Sequence, residues 1–408
     1  MQGQNNTTLI EKDLHEKSKV LLSEQEDHYR IFQTQMSPYS HKVMTYMNYK
    51  GIPYKRVHAN QMDISWAITN VGQSIAPVLI TPDDQIMQDS TPILEYFEKQ
   101  YPQPAAIPNS PLLSFLMWLL EDFADEYLQR LQMHTRWGNT LNIQTASHKI
   151  SRNFAYGVPK LDVKSLAPVI QARQKKNDSL LGLEGDKQRQ NLDQQVLDLL
   201  CILDARLEES QFLLGNRPSM ADFAFYGPLM IHLYNDPQSN HILETNAPRV
   251  CNWLFTIQEL GDTRGCVGQT EFGEWIDSET DLPPSLLELL KFVSQTYIPL
   301  GRATAKASVV REKHFEASVY GIKTTFGTSH YKAWAFEQTQ LRYRALTNDT
   351  KTKIDGILLE TGILPELLED GVLHNGLYDG FTPPFVKDGI PDARIKHLKE
   401  KQQQKSTA

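Results

Sequence analysis

The stretch Tyr29-Arg-Ile-Phe-Gln-Thr-Gln-Met-Ser-Pro-Tyr-Ser40 decides how the N-terminal part of this chain reads. Tyr29 to Gln35 has the texture of a short strand, and Met36-Ser37-Pro38 then opens a helix. Proline suits a first helical turn, where its missing N–H loses no bond. Val43, Met44, Tyr46 and Met47 continue an apolar stripe at helical spacing to about Lys50. Gly51-Ile-Pro stops the helix, and Tyr54-Lys-Arg-Val-His reads as a second strand. Asp63 to Asn70 is read as a short connecting helix. Ile75-Ala-Pro-Val-Leu-Ile is a third strand, Pro82-Asp-Asp-Gln a turn, and Ile86-Met-Gln a fourth strand. Asp89-Ser-Thr-Pro then starts another helix, with Ser90 or Thr91 as its cap.

Composition sets the outer limits. A chain of 408 residues is too long for one core and predicts two or three domains. Its 41 basic and 49 acidic residues leave a net charge of −8, against the basic face of a general nucleic-acid binder. Hydrophobic residues at 40% and aromatic residues at 9% exclude wholesale disorder. Cys201, Cys251 and Cys266 are too few for a disulfide framework or a thiolate zinc site. The apolar run Leu112 to Leu120 contains a serine and ends at Glu121-Asp122, too short to cross a membrane. Residues 1–28 form a polar leader of mixed charge without a signal or transit pattern, and residues 396–408 a solvated polar tail. The expectation is a soluble, cytoplasmic protein with neither nucleic acid nor membrane as partner.

The order β-α-β, connecting helix, β-β-α over residues 29–102 predicts a thioredoxin-like domain. Four motifs within and after it resemble the glutathione transferase superfamily: Ser37-Pro-Tyr-Ser40, Ala76-Pro-Val-Leu79, Asp89-Ser90, and Phe212-Leu-Leu-Gly-Asn-Arg-Pro-Ser-Met-Ala-Asp-Phe-Ala-Phe-Tyr-Gly227. In the last, Ser219 and Asp222 have the spacing of a capping box, so Asp222 reads as a helix-start signal and not as a catalytic acid. The resemblance runs from Tyr29 to about Gln258 and implies an all-α domain over residues 109–265, following the α/β one. A long helix is expected from Pro111 to Gln132, and others at Asn191–Leu207 and Ala247–Leu260. Residues 139–187 form an insertion, open to reading as a lid over a cleft or as surface elaboration. Residues 266–395 form a further helical extension, with helices expected at Leu286–Tyr297, Tyr331–Leu346 and Lys351–Leu364. Trp334, Phe336 and Tyr343 are its expected core anchors. The extension is read as an enlargement of the helical domain, as part of an acceptor pocket, or as a homodimer contact.

A glutathione-using enzyme must present a thiolate, yet a thiol with a pKa of about 8.5 is mostly protonated at neutral pH. A hydroxyl donor at the positive end of a helix favours the ionised form. The resemblance implies that Ser37 plays this part, as in serine-type members, with Ser40 the fallback hydroxyl. Both cysteines of the redox-active Cys-Pro-Tyr-Cys relatives are replaced here, so thiol–disulfide exchange through this site is unavailable to the chain. The resemblance further implies a cis Pro77, backbone pairing of Ala76 with the cysteinyl unit, and Asp89-Ser90 holding the γ-glutamyl group. Two features depart from the family: Asp89 stands where Glu or Gln is usual, and Ile75 precedes the proline pair. The glycine carboxylate is left to Lys42, Lys50 or Gln73. An acceptor pocket is expected between the domains, with Tyr39, Trp118, Asp122, Tyr127 and Tyr226 as liners or, alternatively, as core. The implied function is binding of glutathione, as substrate or cofactor and without metal, and activation of its thiol. The activated thiol would add to, displace on, or isomerise a small electrophile. The alternative is a non-enzymatic binding or interaction protein that keeps the fold.

Overall fold

A computed structural model describes residues 28–58, 71, 76–156, 158, 161–263, 266–267, 271–277, 281–380 and 382–386. The polar leader up to residue 27, the Asp63–Asn70 helix, Gln73, Ile75 and the polar tail lie outside the described residues.

Strand β1 (Tyr29–Gln33) runs parallel to β2 (Tyr54–His58) and antiparallel to β3 (Val78–Ile80), which pairs in turn with β4 (Ile86–Gln88). The spatial order β2-β1-β3-β4 gives the thioredoxin-like sheet expected from the motif order. Successive β1 side chains point to opposite faces. Ile31 joins the core against helices α1 (Pro38–Tyr49) and α2 (Ser90–Gln100), while Phe32 packs with Val71, Val78 and Ile80 on the other side.

A large helical part comes next. It comprises α3 (Pro111–Glu126), α4 (Leu128–Gly138), α5 (Thr140–Ala155), α6 (Val163–Lys175), α7 (Asn177–Leu180), α8 (Asp186–Glu209), α9 (Met220–Pro228), α10 (Pro237–Asn246) and α11 (Pro248–Gln258). The single helix expected from Pro111 to Gln132 is in fact two, broken at Tyr127. There the Tyr127 hydroxyl reaches Gln195 on α8, and Arg130 donates to the carbonyls of Leu181 and Gly182. The Ser219/Asp222 capping box forms at the start of α9, and the Asp222 carboxylate also accepts the Leu213 N–H at 2.9 Å. Burial pushes Asp222 up to about 6. Gly227, near the end of α9, lies against the start of α1. A Cβ there would be 2.4 Å from the Pro38 carbonyl oxygen, so only glycine lets the two helices cross so closely.

The extension departs from its all-helical expectation. A short antiparallel pair, β5 (Asp262–Thr263) and β6 (Cys266–Val267), leads into it. After α12 (Pro284–Val309), longer than expected and running through Pro299, the chain makes a hairpin of β7 (His314–Val319) and β8 (Ile322–Gly327). Phe315, Ala317 and Val319 alternate inward. Tyr320 and Gly321, with φ of 50° and 78°, make the two-residue turn that such hairpins favour. Helices α13 (His330–Arg344) and α14 (Asn348–Glu360) lie at nearly the expected positions. One buried apolar cluster runs from Tyr29 to Leu367, so the sheet layer, the helical part and the extension share a core. Phe336 and Tyr343 anchor it as expected. Trp334 does not: it is half-buried and lines a cavity.

Candidate functional site

The site begins where β1 hands over to α1. Ser37 has extended backbone geometry and caps the helix, its Oγ accepting the Ser40 N–H at 3.2 Å. The same hydroxyl donates to the Ala76 carbonyl at 3.1 Å. The Ala76–Pro77 peptide is cis. A helix N-terminus, a hydroxyl and the backbone of Ala76 therefore converge at one point. Ser40, the fallback hydroxyl, is fully buried in the first turn, and its Oγ has no hydrogen-bond partner among the described residues.

Asp89 and Ser90 begin α2. Asp89 has a φ of 77°, unusual for a residue with a side chain, and its carboxylate does not cap the helix. It accepts instead from the hydroxyls of Tyr331 and Tyr378, each at 2.9 Å. Both tyrosines belong to the extension, 242 and 289 residues further along the chain. No local pattern in the sequence announces them, and reading outward from Asp89 misses them. Ser90 is buried, with its hydroxyl 3.4 Å from Asp125.

Lys42 does not hold a place for a ligand carboxylate. It is buried and bonds Glu121 at 2.5 Å, Asp125 at 2.6 Å and Thr91 at 3.1 Å, which ties α1, α2 and α3 together. Lys50 is equally committed, to Glu98 and to the carbonyls of Tyr101 and Pro104. Both expectations for the glycine carboxylate are thereby corrected. Of the expected pocket liners, Trp118 sits in the core with the Arg342 guanidinium 4.2 Å above its ring, and Tyr127 and Tyr226 are buried. Tyr39 donates to the Asp125 carbonyl at 2.8 Å.

Helix α3 turns a row of acids inward: Glu121, Asp122, Asp125 and Glu126 are all buried. Burial raises Asp122 to about 6, against the bonds it accepts from Tyr297 and Thr339. Burial also raises Glu126, against the pull of Lys332. For Lys42, burial works against the charge, but Asp125 and Glu121 outweigh it and keep the ammonium protonated. One ammonium cannot neutralise two buried carboxylates. Asp125 is accordingly pushed up, by burial first.

Two cavities adjoin this row. A larger one of about 730 Å³ is lined by Gln174, Asn177 and Leu180 of the expected insertion, by Phe315 and Phe326 of the hairpin, and by Arg130 and Lys332. A smaller one of about 270 Å³ lies between α2, α3 and α13. Glu126 and Tyr331 line both.

Residues 31–105 match the family model for the N-terminal domain of glutathione S-transferase, and residues 162–260 match that for its C-terminal domain. Over these two segments the chain carries the domain pair of the glutathione transferase superfamily. Among solved structures it is similar to a glutathione S-transferase from Rhodospirillum rubrum F11, at 17% identity and a TM-score of 0.38, over 56% of this chain and 87% of that one. It is similar also to a beta-etherase from Sphingobium sp. strain SYK-6, at 18% identity and a TM-score of 0.40, over 56% and 94%. The Tau class glutathione S-transferase of mango, Mangifera indica, gives 14% identity and a TM-score of 0.38, over 56% and 88%. No curated protein matches the chain. In this glutathione transferase relative the family models leave residues 106–161 and 261–408 unmatched, and those segments carry α3 to α5, the hairpin and α12 to α14. Among the described residues, no group of three or more His, Cys, Asp or Glu side chains is arranged to hold a metal ion. Among them, too, no helix is long and apolar enough to cross a membrane.

Proposed function

We propose that the chain binds glutathione along Ser37, Ala76–Pro77 and Asp89–Ser90, and activates its thiol for attack on a small electrophile. The observation that carries this reading is the convergence of the Ser37 hydroxyl, the α1 N-terminus and the Ala76 carbonyl, with 3.1 Å between the last and the hydroxyl. A thiolate bound there accepts the Ser37 hydroxyl's hydrogen bond in place of the Ala76 carbonyl. The helix N-terminus favours the negative sulfur. Ala76 is then released to pair with the cysteinyl backbone as an added strand would. The start of α2, where the Asp89 side chain makes no cap bond, offers its N–H groups to the γ-glutamyl carboxylate. Asp89, steadied by two tyrosine hydroxyls, brings the negative charge that suits the γ-glutamyl ammonium. The larger cavity, walled by both the insertion and the extension, is the proposed acceptor pocket.

Calorimetric titration with glutathione tests the reading. Saturation at millimolar glutathione is expected, with about tenfold weaker binding in Ser90→Ala, where a charge-assisted bond is lost. A wild-type protein with no saturable binding would instead favour the interaction-protein reading.

A further inference from the structure

The larger cavity carries a charge pattern that thiol activation does not explain. Four cationic side chains line it, Arg130, Arg311, Lys313 and Lys332, against two acids, Glu126 and Glu312. Lys332 is matched by Glu126, 3.5 Å away. Arg130 is not matched. It is 1% exposed, and among the described residues no carboxylate pairs with it. Its guanidinium uses three N–H groups on neutral acceptors: the Leu181 carbonyl at 2.9 Å, the Tyr127 hydroxyl at 3.0 Å and the Gly182 carbonyl at 3.1 Å. A guanidinium has five such donors, so two remain, one each on Nη1 and Nη2. The Phe326 ring lies 5.2 Å from the guanidinium, and Leu181 and Phe326 line the same cavity. Gly182, with a φ of 62°, lets the insertion close on that ring, where a Cβ would stand 2.7 Å away. The guanidinium is thus fixed between the carbonyls of the insertion and the ring of the hairpin. A buried cation without a counter-ion is costly to keep, and dipoles and a ring offset only part of that cost.

We infer that the acceptor taken by this cavity is an electrophile with a carboxylate on an apolar, planar body, and that Arg130 selects it. The inference rests on the reading of this cavity as the acceptor pocket. The two carboxylate oxygens take the spare N–H groups on Nη1 and Nη2, the forked, charge-assisted pairing that a guanidinium favours. Arg311, Lys313 and the start of α13, from Ser329 to Lys332, add positive potential around the same cavity. The planar body lies against Phe315 and Phe326, whose rings stack with centroids 5.6 Å apart and planes 20° apart. A neutral acceptor leaves the buried guanidinium without a counter-ion, so the cavity discriminates by charge. Its volume of about 730 Å³ is ordinary for a small-molecule site.

The test is calorimetry on the full chain with trans-cinnamate, methyl cinnamate and acetate in turn, without glutathione. Methyl cinnamate keeps the body and loses the charge; acetate keeps the charge and lacks the body. Saturable binding of cinnamate is expected, at least about tenfold tighter than of the other two. Arg130→Met, with folding checked by circular dichroism, is expected to weaken cinnamate about tenfold and to leave methyl cinnamate unchanged. A merely loosened fold would weaken both. Saturating glutathione should leave cinnamate bound. The inference is overturned if cinnamate does not saturate, if it binds no more tightly than its ester or acetate, or if glutathione displaces it. It is overturned equally if folded Arg130→Met binds cinnamate like wild type or loses both probes alike. The wild-type comparison of probes decides the matter even where the variant fails to fold. Glutathione, titrated separately, keeps the two readings apart. A protein that binds glutathione but not cinnamate overturns this inference alone, whereas one that binds cinnamate but not glutathione overturns the thiol reading and the acceptor role with it.

Discussion

The Ser37 corner and the acidic cavity are neighbours, yet they are built in opposite ways. The corner is assembled from short motifs on adjoining strands and helices: a cap residue, a cis proline and the start of α2. The cavity is assembled from segments more than two hundred residues apart, with Tyr331 and Tyr378 reaching Asp89. The corner spends few buried charges, whereas the cavity wall concentrates them. Local motifs therefore position chemistry cheaply, while the cavity depends on the whole core for its geometry.

The comparison predicts a hierarchy of damage. Lys42→Ala should be the most destructive change, because it strands Glu121 and Asp125 as buried carboxylates without their cation. Breaking a buried pair costs about 3–5 kcal/mol, to be read from the urea midpoint. Gly227→Ala comes next. The added Cβ would push the Pro38 carbonyl away, at a cost of about 1–3 kcal/mol, and should weaken glutathione binding along with stability. Equal glutathione binding in that variant would break the link between α9 and the corner.

Glu126→Gln probes the cavity by pH. Burial raises the folded Glu126 carboxyl above its unfolded value of about 4.3, so its stabilising contribution is present below that value. That contribution is lost as pH rises through the folded value. The variant should thus gain stability relative to wild type as pH rises, by about 1.4 kcal/mol for each unit of upward shift. Thermal unfolding at acidic and mildly alkaline pH measures this, and a pH-independent difference would show that the wall is solvated. The smallest effect on stability is expected for Ser37→Ala, about 1 kcal/mol for a lost cap.

How much could be read in advance obeys the same divide. The four-stranded sheet, the helix after Pro38 and the Ser219/Asp222 cap all depend on residues close in sequence, and each was legible there; the cis Pro77 was implied by the family resemblance alone. The break at Tyr127 was not, because it coincides with contacts to α8 and to Leu181 and Gly182. The commitment of Lys42 and Lys50 was equally hidden, since a lysine that pairs across helices looks like any surface lysine in a single sequence. The hairpin did leave a signal: Phe315, Ala317 and Val319 alternate before Tyr320-Gly321, a pattern of period two outweighed by the helices around it. Trp334 had the composition of a core residue and the position of a cavity wall, a difference that only packing decides.

The central claim is that the Ser37 hydroxyl holds a thiolate at the α1 N-terminus. Ultraviolet absorbance of bound glutathione, tracked against pH in wild type and Ser37→Ala, tests it most directly. The account predicts that the bound thiol ionises well below its value of about 8.5 in wild type and returns toward that value in the variant. A thiol pKa that is the same in both proteins, with glutathione still bound, would contradict it.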